Sequence, residues 1–245
     1  MKAADFMRDV NSGLALEVQR LTGWRHGIWS RRYQAVVISD EDLAQVERLR
    51  YVLAHGVKEG LVARVTDWPG VHSAAALLEG RSLEGTWFNR TAEYSARQRG
   101  KSFHVREFAE TETLCFEPLP CWAHLTPEQY RAKVADLIAE IEAGAAAERK
   151  QTGCPPLGVK AILRQKPTDQ PVKTKMSPAP LFHAFSRKVR KELYEAYGWF
   201  VAAFREAADR LKDGDRTARF PTGSFPPHLP FVSDQPPQGL IPVPG

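Results

Sequence analysis

Cysteine is scarce in this 245-residue chain: Cys115, Cys121 and Cys154 are the only three, and no two are spaced Cys-x-x-Cys. That excludes a disulfide framework and a zinc knuckle, and reduced thiols in a cytoplasmic protein are the plain expectation. No run of about 18 apolar residues exists, so no membrane span is expected. The opening MKAADFMRDVNSG lacks the apolar centre of a secretory leader. There is no P-loop, no Gly-x-Gly-x-x-Gly, no Gly-x-Ser-x-Gly and no clustered acidic triad of the DDE kind. Nucleotide-binding loops, serine-hydrolase elbows and acidic-triad chemistry therefore have no motif to rest on. No internal repeat is found.

What is present is ordinary in amount and uneven in place. Hydrophobic residues make up 43% and charged residues 26%, the mix of a globular protein with a real core. The net charge of +5 permits a polyanionic partner. It is concentrated: Lys150–Lys191 holds ten basic residues against the single acid Asp169, giving that segment +9 and leaving −4 elsewhere. A segment of that kind is a candidate for binding nucleic acid, with a flexible charged linker close behind. The tail from Pro221 holds eight of the 18 prolines and reads as extended.

Periodicity divides the chain into four parts: 1–79, a connector over 80–122, a helical basic domain over 123–220 and the Pro-rich tail over 221–245. Phe6, Val10, Leu14, Val18 and Leu21 recur at three- and four-residue spacing, which predicts an amphipathic helix over 3–22 that must bury its apolar face. Arg31–Ile38 is rich in β-branched and aromatic residues and predicts a strand. Ser39 and three acids then cap a helix over about 41–55. The connector predicts one or two short strands. Thr126-Pro127-Glu128-Gln129 is a helix start with a capping box, followed by Tyr130, Val134, Leu137, Ile138 and Ile141 at helical spacing. A short helical piece is predicted over 157–165. Ser186 opens the last long helix, whose stripe runs from Val189 through Leu193, Tyr197 and Phe204 to Leu211, and Gly214 ends it.

The 41–55 helix carries the sharpest constellation. At about 100° per residue, Leu43, Val46, Leu49 and Leu53 gather on a core side. Tyr51 falls nearly opposite, with Arg48 one turn earlier, His55 one turn later, and Lys58 extending the row if the helix runs that far. A tyrosine hydroxyl can attack a phosphodiester when a metal polarises the phosphate, and a histidine on the same face can ligate that metal. From the spacing alone, a tyrosine packing on a neighbouring helix remains the commoner outcome.

The run Arg50-Tyr51-Val52-Leu53-Ala54-His55-Gly56-Val57-Lys58-Glu59-Gly60-Leu61-Val62, ending in Asp67-Trp68-Pro69, resembles the single-tyrosine HUH transposases of the insertion-sequence and REP-associated (RAYT) type. Phe6-Met7-Arg8 and Trp29-Ser30-Arg31-Arg32-Tyr33 resemble that family's first helix and following strand. The resemblance covers residues 5 to about 79, with the motifs in the family's order. Arg219–Pro227 also resembles the C-terminal extension of its longer members.

The resemblance implies a mainly α (α+β) fold: a remnant of a ferredoxin-like domain lacking its N-terminal strands, followed by helices. It implies Tyr51 as the nucleophile of metal-dependent single-stranded DNA cleavage and rejoining through a phosphotyrosine. It places His55 where the family has a polar metal-binding residue, and Gly56 where it has proline. Mg2+ or Mn2+ would be the cofactor, hairpin-bearing or single-stranded DNA the partner, and a homodimer the assembly. Arg31, Arg32, Arg48 and Lys58 would position phosphates, as would Arg187, Lys188, Arg190 and Lys191 in the basic segment. Arg31 and Arg32 equally suit a solvated strand edge. The family's other two ligands form a His-hydrophobic-His pair ahead of this region, whereas the seven histidines here (26, 55, 72, 104, 124, 183 and 228) contain no His-x-His. The expectation is therefore an N-terminally shortened member, impaired or inactive as an enzyme. The alternative is a non-catalytic nucleic-acid-binding or regulatory protein that uses the 150–191 segment.

Overall fold

The computed structural model describes residues 3–29, 33–100, 102–166 and 181–224. Over these the protein is mainly helical, 57% helix against 8% strand. The chain divides into two compact units, one made of 38–178 and the other of 1–37 with 179–245.

The 38–178 unit is built on α2 (Asp42–Lys58), α3 (Ala74–Glu79) and α5 (Pro127–Thr152). Helix α5 offers Val134, Leu137, Ile138 and Ile141, an i, i+3, i+4, i+7 stripe, to Leu53 and Val57 of α2 and to Ala74 and Leu77 of α3. Val62 and Val65, the latter in the 3-10 turn Val65–Asp67, close the core from the exit of α2. Leu53 and Val134 are 1% and 0% exposed, so the contact is dry at its centre. Polar bonds fix the register. Glu142 of α5 accepts the Val65 N–H at 2.8 Å, and Glu140 pairs with Arg50 of α2. After α5 the chain returns to α2: Leu157 and Gly158 donate to the carbonyls of Gly60 and Leu61, each at 2.9 Å, and α6 (Val159–Ile162) follows.

The divisions expected at 79/80 and 122/123 cut through this core, because α2 and α3 pack on α5, which follows them in sequence across both divisions. The expected connector is also more regular than its composition suggested. Strand β2 (Leu83–Phe88) pairs antiparallel with β3 (Ala109–Leu114), Leu83 opposite Leu114 and Phe88 opposite Ala109. Between them, α4 (Arg90–Gln98) is capped by the Asn89 side chain. Glu93 of α4 is buried and accepts from Arg90 at 2.9 Å and Arg97 at 3.0 Å, while the Arg90 guanidinium lies 4.4 Å over the Phe88 ring.

In the other unit, α1 (Ala3–Thr22) has the predicted bounds and stops at Gly23, whose φ of +70° suits glycine. Its apolar face does not bury as expected: Phe6 is 54% and Leu21 85% exposed. The 24–29 turn folds back along the helix, with the Trp29 indole N–H donating to the Asn11 carbonyl at 2.9 Å and Gln19 donating to the His26 carbonyl at 3.0 Å. Helix α7 (Arg187–Lys212) starts at Ser186, whose hydroxyl accepts the Val189 N–H, and ends before Gly214 as predicted. Its apolar stripe is half-buried at Val189, Leu193, Phe204 and Leu211 and exposed at Tyr197, and Ala207 is its one fully buried residue. The segment after it hooks back, so that Ala218, Phe220 and Pro221 are buried and Phe220 meets Phe204 edge to face at 5.2 Å.

The strand predicted over 31–38 shrinks to β1 (Val37–Ile38). Residues 33–36 are irregular, and Val37 donates to the Leu181 carbonyl at 3.3 Å beside β4 (Phe182–His183). A β-prone run forms a strand only where a neighbouring backbone pairs with it, and strand geometry here is confined to the part beside Leu181. The piece predicted over 157–165 is helical only at 159–162. The Pro-rich tail from 225 onward lies outside the described residues. Among those described, no helix is long and apolar enough to cross a membrane.

Candidate functional site

Helix α2 runs to Lys58, three residues beyond the predicted end, and this sets the geometry of the site. Gly56 is what lets it continue. It is buried under the Trp68 indole, where a Cβ would stand 3.1 Å from the Trp68 ring and 3.2 Å from the Val62 side chain. Its carbonyl accepts the N–H groups of Leu61 and Val62 at 2.9 and 3.2 Å, and Gly60 makes the left-handed exit at φ +68°. At the other end, Ser39 does not cap the helix. Its buried hydroxyl donates to the Glu41 carboxylate at 2.8 Å, and Glu41 occupies the cap position. The core side is Ala44, Leu53 and Val57, with Val46 and Leu49 half-buried. Leu43, expected there, is exposed because the wheel turns about one residue away from it.

The predicted polar row is present. Tyr51 is 46% exposed, and its ring has the Arg48 guanidinium 5.1 Å from its centroid and the Lys58 ammonium 5.4 Å from it. The exposed His55 ring meets Tyr51 edge-on at 6.0 Å and 62°. Two cations on one phenol ring contribute about 0.5–1 kcal/mol each at an exposed site, enough to bias the rotamer without locking it. From Arg48 to Lys58 the helix axis advances about 15 Å, room for several consecutive phosphates of one strand.

The remaining predicted positions lie elsewhere. Arg31 and Arg32 fall outside the described residues. Arg187, Lys188, Arg190 and Lys191 occupy the first turns of α7, in the other unit, and all four are exposed. Lys188 and Lys191 have Glu192 and Glu195 at 4.0 and 3.6 Å, and Arg190 donates to the Ala184 carbonyl at 2.9 Å. Part of that patch is thus compensated within its own helix.

The residues do not suit a divalent ion of the kind the resemblance implies. Among the described residues no three His, Cys, Asp or Glu side chains gather, and the neighbours of His55 on the row are Tyr51 and the two cations. A cation beside Arg48 and Lys58 would face repulsion where a metal site needs carboxylate or imidazole donors. No chemical step through a metal follows from this donor set.

Sequence reasoning missed two features. Trp68, taken as part of a closing turn, packs on Gly56 and against the core. Glu93, in a segment without clear pattern, is a buried carboxylate between two arginines; its i−3 and i+4 spacing to Arg90 and Arg97 was the available signal. Comparison of the chain with family models, with curated proteins and with solved structures returned no match.

Proposed function

We propose that this chain is a DNA-binding protein of the single-tyrosine HUH transposase type that holds single-stranded or hairpin DNA along the α2 row without cutting it. In this reading residues 5–79 correspond to part of the family's ferredoxin-like domain, and Tyr51 stands at the nucleophile position. The observation that supports it best is the Arg48–Tyr51–His55–Lys58 row, exposed but for a half-buried Arg48, with both cations drawn to the tyrosine ring. Phosphates pair with Arg48 and Lys58, and the phenol hydroxyl donates to a phosphate oxygen between them. Strand cleavage is absent in this reading because, among the described residues, no group of three His, Cys, Asp or Glu side chains gathers to hold a metal against that phosphate.

The test is a labelled single-stranded oligonucleotide with a hairpin end, followed by anisotropy across a salt series. Two phosphate contacts give a slope of about −1.4 in log K against log salt, which the double variant Arg48→Ala/Lys58→Ala removes. A denaturing gel with Mg2+ or Mn2+ checks for covalent attachment. An adduct that disappears in Tyr51→Phe overturns the non-cutting part. If binding survives the double variant but is abolished by charge reversal at Arg187, Lys188, Arg190 and Lys191, the α7 segment is the binding surface and the regulatory alternative replaces this one.

A further inference from the structure

A second site lies in the 38–178 unit and shares no residue with the α2 row. The end of α3, the end of β3 and the start of α5 enclose a cleft of about 390 Å3, within the range of small-ligand sites. Its apolar wall comes from Leu77, Phe116 and Leu125. Its polar lining residues are Arg81, Arg131, Tyr130, Ser82 and Cys115, and no carboxylate lines it.

Arg131 is held in place from two sides. One Nη donates to Glu128 at 3.2 Å, and the other lies over Gly80, where a Cβ would come within 2.9 Å of it. Gly80 has φ +66°, so the left-handed end of α3 and the missing side chain together make room for the guanidinium. Arg81 pairs with Glu79. A guanidinium has five N–H donors and one carboxylate uses two at most, so both arginines keep donors for a ligand. Tyr130 is half-buried, its ring edge-on to Trp122 at 5.8 Å, and burial pushes its phenol up, keeping the hydroxyl a neutral donor. Pro127, the first residue of the 26-residue α5, also lines this cleft.

We infer that this cleft binds a small monoanion carried on a single aromatic ring system, with the ring against Leu77, Phe116 and Leu125 and the anionic group between Arg81 and Arg131. The apolar wall accounts for the ring, and the N–H donors that Arg81 and Arg131 keep beyond their pairs with Glu79 and Glu128 account for the charge. A ligand of this size in a half-open cleft binds with a Kd on the order of 0.1–1 mM.

The experiment is a 1H–15N titration of the full chain with indole-3-acetate, and in parallel with neutral indole and with inorganic phosphate. The expected result is saturable shifts of the Gly80, Leu77 and Leu125 amides with indole-3-acetate, and neither control reaching saturation in the same range. Arg131→Gln should weaken binding at least five-fold. Cys115→Trp, a substitution at an exposed lining position that leaves the core intact, should block it. Absent shifts, equal binding of indole, or unchanged affinity in both variants overturns the inference.

Discussion

The two units contain helices of similar length and use them in opposite ways. In the 38–178 unit, the 26 residues of α5 place four side chains in a dry core shared with α2 and α3. In the other, the 20 residues of α1 leave Phe6, Val10, Leu14 and Leu21 exposed, and the 26 residues of α7 fully bury one alanine. Helical pattern alone therefore does not tell a core element from one whose apolar face stays in water. The partners differ: α5 has two helices and a returning chain to pack on, while α7 meets Phe182 of the two-residue β4 through Tyr194 and Tyr197 and its own C-terminal hook through Phe204.

That contrast can be broken most directly at its centre. Leu53→Ala should cost about 3–4 kcal/mol in urea unfolding, against less than about 1 kcal/mol for Leu14→Ala on α1. Equal losses at the two positions would show that the exposed stripe is covered in solution. Phe220→Ala should cost about 3 kcal/mol, confined to the 179–245 region, because it removes the buried ring that pins the hook to Phe204. Amide exchange that quickens only over α7 and the hook is the expected signature.

Smaller effects sharpen the same picture. Thr126 and Gln129 exchange hydrogen bonds at 3.3 and 2.9 Å, so Thr126→Ala should cost about 1 kcal/mol and fray the start of α5. The smallest expected effect is a pH effect in the hook. Asp215 accepts from the Thr217 hydroxyl and N–H and from Arg210, which holds its carboxyl down at about 2. A depressed carboxyl stabilises the fold fully above its unfolded value near 4 and loses that contribution as pH falls through about 2. The Thr217 amide signal should therefore hold its position down to about pH 3 and move below it, and Asp215→Asn should abolish the movement.

Local signals were readable in the sequence. Thr126 with Gln129, Ser186, Gly23, Gly153 and Gly214 mark helix ends that the structure places where their chemistry requires. The Arg48–Tyr51–His55–Lys58 row was legible for the same reason, since it depends only on helical periodicity. What could not be read was nonlocal. Nothing near Leu53 says that it meets Val134, and nothing in RRYQAVVI says that only Val37–Ile38 takes strand geometry among its described residues. The amphipathicity of α1 names an apolar face without naming anything to cover it. The cleft beside Arg131 depends on Gly80 and Phe116 arriving from separate elements.

Gly56 has a consequence for how this sequence can change. Glycine inside a helix forgoes about 1 kcal/mol relative to alanine, so chemistry favours replacing it. The first added carbon, however, presses on the Trp68 ring and the Val62 methyl together. A single step away from glycine requires both neighbours to give by a few tenths of an ångström, so its outcome depends on what stands at 62 and 68. Positions 56, 62 and 68 therefore form an epistatic set, in which the order of substitutions decides whether a path is open, and their effects should not add.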